Sequence, residues 1–189
     1  MSTPSSLIEA SVALSDQVLE LIDSGVSTPI VLIDGRAGSG KSTLAALLQN
    51  QLFKDGDSLP RLIHMDDLYE GWDGLQAGTD YLLRLILNPI SAHRKAEWQE
   101  FDWSKNERGR WREFDGGTPL IIEGCGSISR LAAEAASIKI WVEADDQVRF
   151  QRWIEREGND EFFGKWAAQE VEFYARERST ELADLTVAN

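Results

Sequence analysis

Cysteine is nearly missing from this sequence: Cys125 stands alone among 189 residues. That excludes an intramolecular disulfide or a cysteine metal cluster and agrees with a reducing compartment; a lone cysteine is most often a small buried apolar residue. Positive charge is scarce as well. With 19 lysines and arginines against 32 aspartates and glutamates, the net charge is −13, which repels nucleic acid and anionic membranes at long range. Neither partner is expected. No apolar run approaches a membrane span, and Met1-Ser2-Thr3-Pro4-Ser5-Ser6 lacks the basic start and apolar stretch of a signal peptide, so the expected location is cytoplasmic. Internal repeats, low-complexity tracts and domain linkers are also lacking. The length suits one substantial core, hence a single domain over 1–189.

What is present is a phosphate-binding loop. Gly35-Arg36-Ala37-Gly38-Ser39-Gly40-Lys41-Ser42 is a complete G-x-x-x-x-G-K-[ST] (Walker A) segment. It lies between the β-branched run Ile30-Val31-Leu32-Ile33 and a helical pattern at Leu44, Leu47, Leu48 and Leu52. Glycines let several backbone N–H groups turn toward one point, and the helix after the loop adds the positive end of its dipole. Lys41 would reach the β- and γ-phosphates, and the Ser42 hydroxyl would ligate Mg²⁺. MgATP can bind despite the net charge because these groups act locally. The acidity mildly favours a neutral or cationic phosphate acceptor over a highly anionic one, a bias that local arginines could override.

Around the loop, the pattern alternates strands and helices. A capping box at Ser6-Leu7-Ile8-Glu9 and apolar residues at helical spacing predict a helix over 6–24 with Gly25 as its stop. Strand 29–34 delivers the loop, the next helix runs through Phe53, and Lys54-Asp55-Gly56-Asp57 reads as a turn. Arg61–Met65 predicts a second strand ending in Asp66-Asp67-Leu68-Tyr69, and Thr118–Gly124 a third ending in Glu123. The carboxyl ends of parallel strands line the ligand crevice, so these carboxylates would face the phosphates. Asp67 reads equally well as a turn former, and His64 as a packed strand residue. Glu123 suits a group that positions the hydrated metal near Ser42. A helix over 127–137, a strand at 138–142, a helix capped by Asp145, another over 160–178 and a short strand at 183–189 complete the chain. The sum is an α/β sheet, mainly parallel, wrapped on both faces.

Residues 70–116 break this alternation. A short helix from about Asp80 to Leu87 is stopped by Asn88-Pro89, and then Trp98, Phe101, Trp103, Arg108, Arg110, Trp111, Arg112 and Phe114 mix. This reads as a loop and hairpin insertion over the sheet edge. Its rings offer stacking surfaces for a planar group, or make a small satellite core. In the helix after Asp145, Arg149, Arg152 and Arg156 share one stripe. Their mutual repulsion costs a few tenths of a kcal/mol per pair, roughly; a bound anion would offset it, or Glu155 and Glu157 neutralise a solvated face.

Taken together, these motifs resemble the uridine kinase-like branch of the P-loop kinases, which includes phosphoribulokinase and bacterial pantothenate kinase. The likeness covers most of 29–189. Asp66-Asp67-Leu68-Tyr69 resembles the branch's Asp-x-Phe-Tyr segment, Phe101-Asp102-Trp103 its Tyr-Asp-Phe acceptor segment, Glu123-Gly124 its Glu-Gly strand end, and Ala183-Asp184-Leu185 the opening of its last strand. The resemblance implies a P-loop NTPase fold with five strands in the order 2-3-1-4-5, an acceptor-site insertion at 70–116 and a lid at 145–165. It implies Asp66 as general base, with Lys41, Arg149 and Arg152 stabilising the transferring group. Gly35, Ala37, Gly38, Ser39, Gly40, Lys41, Ser42, Thr43 and Arg156 would bind ATP. Asp66, Tyr69, Phe101, Asp102, Trp103 and Arg108 would meet the acceptor, and Ser42, Asp66 and Glu123 would serve Mg²⁺.

Two departures matter. Ser104-Lys105-Asn106 stands where uridine kinases carry a pyrimidine-reading histidine, and Glu157-Gly158-Asn159-Asp160 stands where the lid continues with basic residues. Both weaken uridine or cytidine as the acceptor. The leading expectation is a kinase for a small-molecule hydroxyl, a nucleoside included. The rivals are a kinase for a phosphorylated acceptor clamped by Arg108, Arg110 and Arg112, and a nucleotide-binding switch, against which stands the lack of an Asn-Lys-x-Asp segment. Monomer and homo-oligomer are not distinguished.

Overall fold

The computed structural model describes residues 4–56 and 59–189; Asp57, the last residue of the expected turn, lies outside the described residues, as do Met1, Ser2 and Thr3. Helix α1 (Ser5–Asp23) sets Leu7, Leu14 and Val18 into the core. Its expected capping box is not formed. Pro4 takes the cap position and its carbonyl accepts the Leu7 amide at 3.2 Å, so Ser6 already lies inside the first turn, where it cannot cap. Gly25 does end the helix, at φ +99°, with its amide on the Ile22 carbonyl at 2.9 Å.

Strand β1 (Ile30–Asp34) and helix α2 (Lys41–Asp55) flank the glycine loop, and β2 (Arg61–His64) runs into a single 3₁₀ turn, Met65–Asp67. The helix expected at 80–87 is longer: α3 (Leu75–Leu82) continues through a π-turn, Leu83–Leu87, into α4 (Asn88–Ser91). Pro89 therefore does not stop it. The widened turn, closed by the Asn88 amide on the Leu83 carbonyl, accommodates a residue that has no N–H and whose ring crowds a regular turn. Gly78 sits inside α3 where a Cβ would meet the Tyr69 ring, so it permits close packing and breaks nothing.

The insertion carries the expected hairpin, β3 (Ala96–Asp102) against β4 (Glu107–Phe114). Then come β5 (Leu120–Glu123), α5 (Arg130–Ala135), β6 (Ile138–Glu143), α6 (Asp146–Glu157), α7 (Phe163–Glu177), α8 (Ser179–Leu182) and β7 (Leu185–Ala188). Asp145 caps α6 by accepting the Gln147 amide at 2.8 Å. Helix α5 is shorter than the expected 127–137 because Ser129 caps it, accepting the Ala132 amide at 3.2 Å. No helix among the described residues is long and apolar enough to cross a membrane.

The large sheet has the order β2-β5-β1-β6-β7, parallel throughout, which matches the expected order. Alternation along the strands sorts their side chains into two cores. Val31, Ile33, Ile121, Ile138 and Ile140 pack with α1 and α2, while Ile30, Leu32, Leu120 and Ile122 pack with Leu75, Ala132, Trp166 and Phe173. Each buried aliphatic side chain contributes about 1.5–3 kcal/mol. The same parity sends the last residue of each strand to opposite sides: Asp34 shares the face of Leu32, toward α7, and Glu123 shares the face of Ile121, toward the start of α2.

Candidate active site

The glycine loop lies between β1 and α2, as expected. Gly38 and Gly40 have φ of +80° and +104°, and a Cβ on Gly38 would run into the Arg149 carbonyl, so side chains are excluded there on both counts. Ser39 has a buried hydroxyl without a hydrogen-bond partner, an unmet polar group of the kind a phosphate oxygen satisfies. These features, with the exposed Ser42 and Thr43 in the first turn of α2, fit a bound triphosphate. Lys41 is only 7% exposed; its Nζ donates to the Arg36 carbonyl at 3.1 Å and lies 3.6 Å from Cys125 Sγ. Burial pulls the Lys41 pKa down, but Cys125, Glu123, Glu170 and Asp34 pull it up and prevail. Burial also raises the Cys125 pKa and keeps that thiol protonated, so the three carboxylates carry the effect and Lys41 stays charged.

Two of those carboxylates hold the loop from beneath. Glu170, 1% exposed on α7, accepts the Ala37 amide at 2.6 Å and faces Cys125 Sγ at 3.2 Å. Asp34 accepts from the amides of Gly35, Gly126 and Ile128 at 2.6, 3.0 and 2.8 Å and from the Tyr174 hydroxyl at 2.7 Å. Glu170 and Tyr174 are four residues apart and share one face of α7, so one helix grips both the loop and the 124–128 turn. None of these three residues stood out in the sequence. The signal was an acid on the apolar stripe of α7, in line with Trp166 and Phe173.

Burial lifts the Asp34 carboxyl from 3.8 to about 6, against donors that hold it down. Asp66 and Asp67 are also raised, by burial first, and His64 is raised above 6.5, chiefly by its hydrogen bond to Glu123. A carboxyl with a raised folded pKa binds more protons folded than unfolded, so stability falls as pH rises from 3.8 to about 6 for Asp34. For His64, the stability present below 6.5 is lost as pH rises through its folded value. All four have the same sign. Thermal melts should therefore give a higher Tm at about pH 5 than at about pH 8, and a Tm that climbs over that interval would contradict these environments.

On the far side of Lys41, the 3₁₀ turn after β2 brings Asp66 to a cavity of about 360 Å³ that Lys41, Ser42, Glu123 and Arg156 also line. Asp66 is exposed to solvent where it lines this cavity, yet the atoms crowded around its carboxylate desolvate it and, with Glu123 second, raise its pKa. Its side chain has no hydrogen-bond partner among the described residues, and only its main-chain carbonyl is bonded, by the Trp103 indole N–H at 2.8 Å. Glu123 and His64 are partners in the parallel register of β5 and β2, and Glu123 Oε1 lies 2.6 Å from His64 Nδ1. Among the described residues, no group of three or more histidines, cysteines and acids is arranged as a metal cage. Mg²⁺ in phosphate loops needs few protein ligands, and Ser42 with Asp66 and Glu123 fits that donor set.

The remaining expected residues divide. Tyr69 and Trp103 line the cavity, the Tyr69 hydroxyl donating to the Cys125 carbonyl at 2.6 Å. Phe101 is buried behind Trp103, ring centroids 5.4 Å apart. Asp102 lies outside the cavity and closes the hairpin turn, accepting from the Ser104 and Lys105 amides at 3.0 and 3.2 Å. Arg108 ties the hairpin to the preceding segment through Glu70 and the Leu68 and Gln99 carbonyls, and stacks on Tyr81 at 3.8 Å. Arg112 pairs with Glu100, and none of Arg108, Arg110 and Arg112 lines the cavity. Of the arginine stripe, Arg149 donates to the Ala37 carbonyl at 3.1 Å and Arg152 to the Gly38 carbonyl at 3.1 Å. Both brace the outside of the loop, and Arg156 alone reaches the cavity. Trp72, Trp153 and Trp166, which sequence reasoning did not single out, complete the wall; Trp72 stacks on Phe162 at 4.9 Å and packs 5.0 Å from Trp103.

Comparison with known proteins agrees with this fold. No curated protein matches the chain in sequence. A structure described as a possible uridine kinase from Bacillus stearothermophilus superposes with a TM-score of 0.68 at 19% identity, covering 95% of this chain and 98% of that one. Another, described with similar reserve as a fructose transport system kinase from Silicibacter sp. TM1040, gives 0.60 at 22% identity over 93% and 98%. At such identities they speak for a shared fold. The profile described as AAA domain matches residues 31–172, from the first strand into the helix that grips the loop, and the chain belongs to that family.

Proposed function

We propose that this chain transfers the γ-phosphoryl group of MgATP to a hydroxyl of a small molecule. The observation that carries the reading is Asp66: a carboxylate with no hydrogen-bond partner among the described residues, in one cavity with Lys41 and Ser42. Its pKa is raised, by desolvation first and then by Glu123, which makes it a stronger base than a surface aspartate. Asp66 would orient the acceptor hydroxyl and take its proton as the new oxygen–phosphorus bond forms and the bond to the β–γ bridging oxygen breaks, releasing ADP. Lys41 and the loop amides would stabilise the charge on the transferring group, with Arg156 closing the site from α6. Arg149 and Arg152 would act by holding the loop in shape. Mg²⁺, held by Ser42 with help from Glu123, would supply charge neutralisation at the phosphates and leave the Asp66 carboxylate free for the acceptor hydroxyl. The aromatic walls would keep water from competing as acceptor.

A phosphorylated acceptor finds no support, because the three hairpin arginines that would clamp it are outside the cavity. ADP release measured with MgATP across nucleosides, nucleotides, vitamins and sugars tests the proposal. At least one compound with a free hydroxyl and no phosphate should stimulate release well above background. Stimulation by monophosphates alone would favour the phosphorylated-acceptor reading. Stimulation by none, with a protein that binds only in the presence of nucleotide, would favour a switch.

A further inference from the structure

Glu123 is the buried carboxylate that the proposed reading sets beside Ser42 for the metal, and a single side chain among the described residues holds it. Its side chain is 5% exposed, and its Oε1 takes a hydrogen bond from His64 Nδ1 at 2.6 Å. The other oxygen has no hydrogen-bond partner among the described residues, and the residue lines the cavity together with Ser42 and Lys41. A glutamate side chain is long and rich in rotamers, so a strand end alone does not set where its carboxylate points. His64 can set it because of the sheet. The two residues are partners in the parallel register of β2 and β5, so their side chains leave the sheet on the same face, the one toward the start of α2. The imidazole is short and stiff, and it stands half-exposed on the edge strand. The two strands are already joined at Arg61, Leu62 and Ile63, whereas this bond falls at their crevice end. Resting on the proposed kinase reading, we infer that His64 is a positioning residue for the Mg²⁺ of MgATP: by fixing Oε1 of Glu123 it leaves the other oxygen of that carboxylate for the hydrated metal. Hydrogen-bond partners of a ligating carboxylate commonly change metal affinity by about 10–100-fold when they are removed.

The test is calorimetric and needs no turnover. The non-hydrolysable β,γ-imido analogue of ATP is titrated into the full chain with EDTA and again with saturating Mg²⁺. By linkage, the ratio of the two dissociation constants measures how much the protein itself contributes to holding the metal. His64→Leu should lower this ratio by about tenfold with the EDTA value unchanged, and His64→Asn, whose amide nitrogen can take the place of Nδ1, should restore it. A histidine that only tied β2 to β5 would, when lost, lower Tm or weaken both dissociation constants alike and leave the ratio where it was. An unchanged ratio in His64→Leu, or a ratio that asparagine leaves as low as leucine does, would overturn the inference. ADP release separates the two proposals. Phosphoryl transfer to a hydroxyl compound by the unaltered chain, with a ratio that does not respond to His64→Leu, sinks the inference and leaves the kinase reading intact. A ratio that falls with leucine and recovers with asparagine, in a chain that phosphorylates no hydroxyl compound, keeps His64 as the residue that positions nucleotide-bound Mg²⁺ and removes the transfer.

Discussion

Replacing Asp66 by asparagine is expected to lower kcat by about a hundred- to ten-thousandfold, the range associated with a positioned general base, while MgATP binds as before. The substitution is a clean one. The tie between this residue and the fold is its main-chain carbonyl, which accepts the Trp103 indole N–H at 2.8 Å, and asparagine leaves that bond in place. The carboxylate makes no hydrogen bond that an amide would break, and its raised pKa marks a charge the surroundings disfavour. Removing that charge should therefore not lower Tm; on linkage grounds it should leave it level or raise it slightly. Loss of turnover with an unchanged or higher Tm, and with undiminished nucleotide binding by calorimetry, is the expected signature. Turnover near that of the unaltered chain would take Asp66 out of the base role and leave the proposed chemistry without its proton acceptor.

How far the site was legible depends on whether the deciding information is local. The loop was fully legible because each of its requirements, positive φ at glycine, a lysine, a hydroxyl at a helix start, is met within eight residues and confirmed by the strand and helix beside it. The strand order came from the family resemblance, and strand ends placed Asp66 and Glu123 at the crevice. Arg149 and Arg152 show the limit. Helical spacing puts them in one stripe, but whether a guanidinium reaches phosphate or a loop carbonyl depends on how close α6 packs, and the missing Cβ of Gly38 lets it pack against the loop backbone. Asp102 and Arg108 sit in a segment whose sequence invites an acceptor site, yet the hairpin needs the first for its turn and the second for its attachment. The tryptophan wall is illegible for another reason: Trp72, Trp103, Trp153 and Trp166 come from four separate segments, and nothing local says that they meet.

Glu170 makes a long-range contact of the same kind, and its loss should be felt in both stability and turnover. Its carboxylate accepts the Ala37 amide across 133 positions of sequence at 2.6 Å, and its charge helps hold Lys41 protonated. Glu170→Ala leaves a buried amide unmet and opens space beneath the loop, which should cost about 1–3 kcal/mol of stability. Because the loop then drifts relative to the acceptor hydroxyl, kcat/KM for MgATP should fall by about a hundredfold. Glu170→Gln separates the two roles. Its amide oxygen can still accept from Ala37, so Tm should be largely restored; if the hydrogen bond sets the loop, KM for MgATP should be restored with it, whereas a KM that stays high while Tm recovers would assign the effect to the lost charge beside Lys41. An alanine variant with unchanged Tm and unchanged KM would show that the loop holds its shape without this contact. The remaining supports would then be Arg149 and Arg152 outside and Asp34 with Tyr174 beneath, and those reach the carbonyls of Ala37 and Gly38 and the amide of Gly35. None of them meets the Ala37 amide, so the alanine variant isolates a buried loop donor whose hydrogen bond nothing else in the described structure supplies.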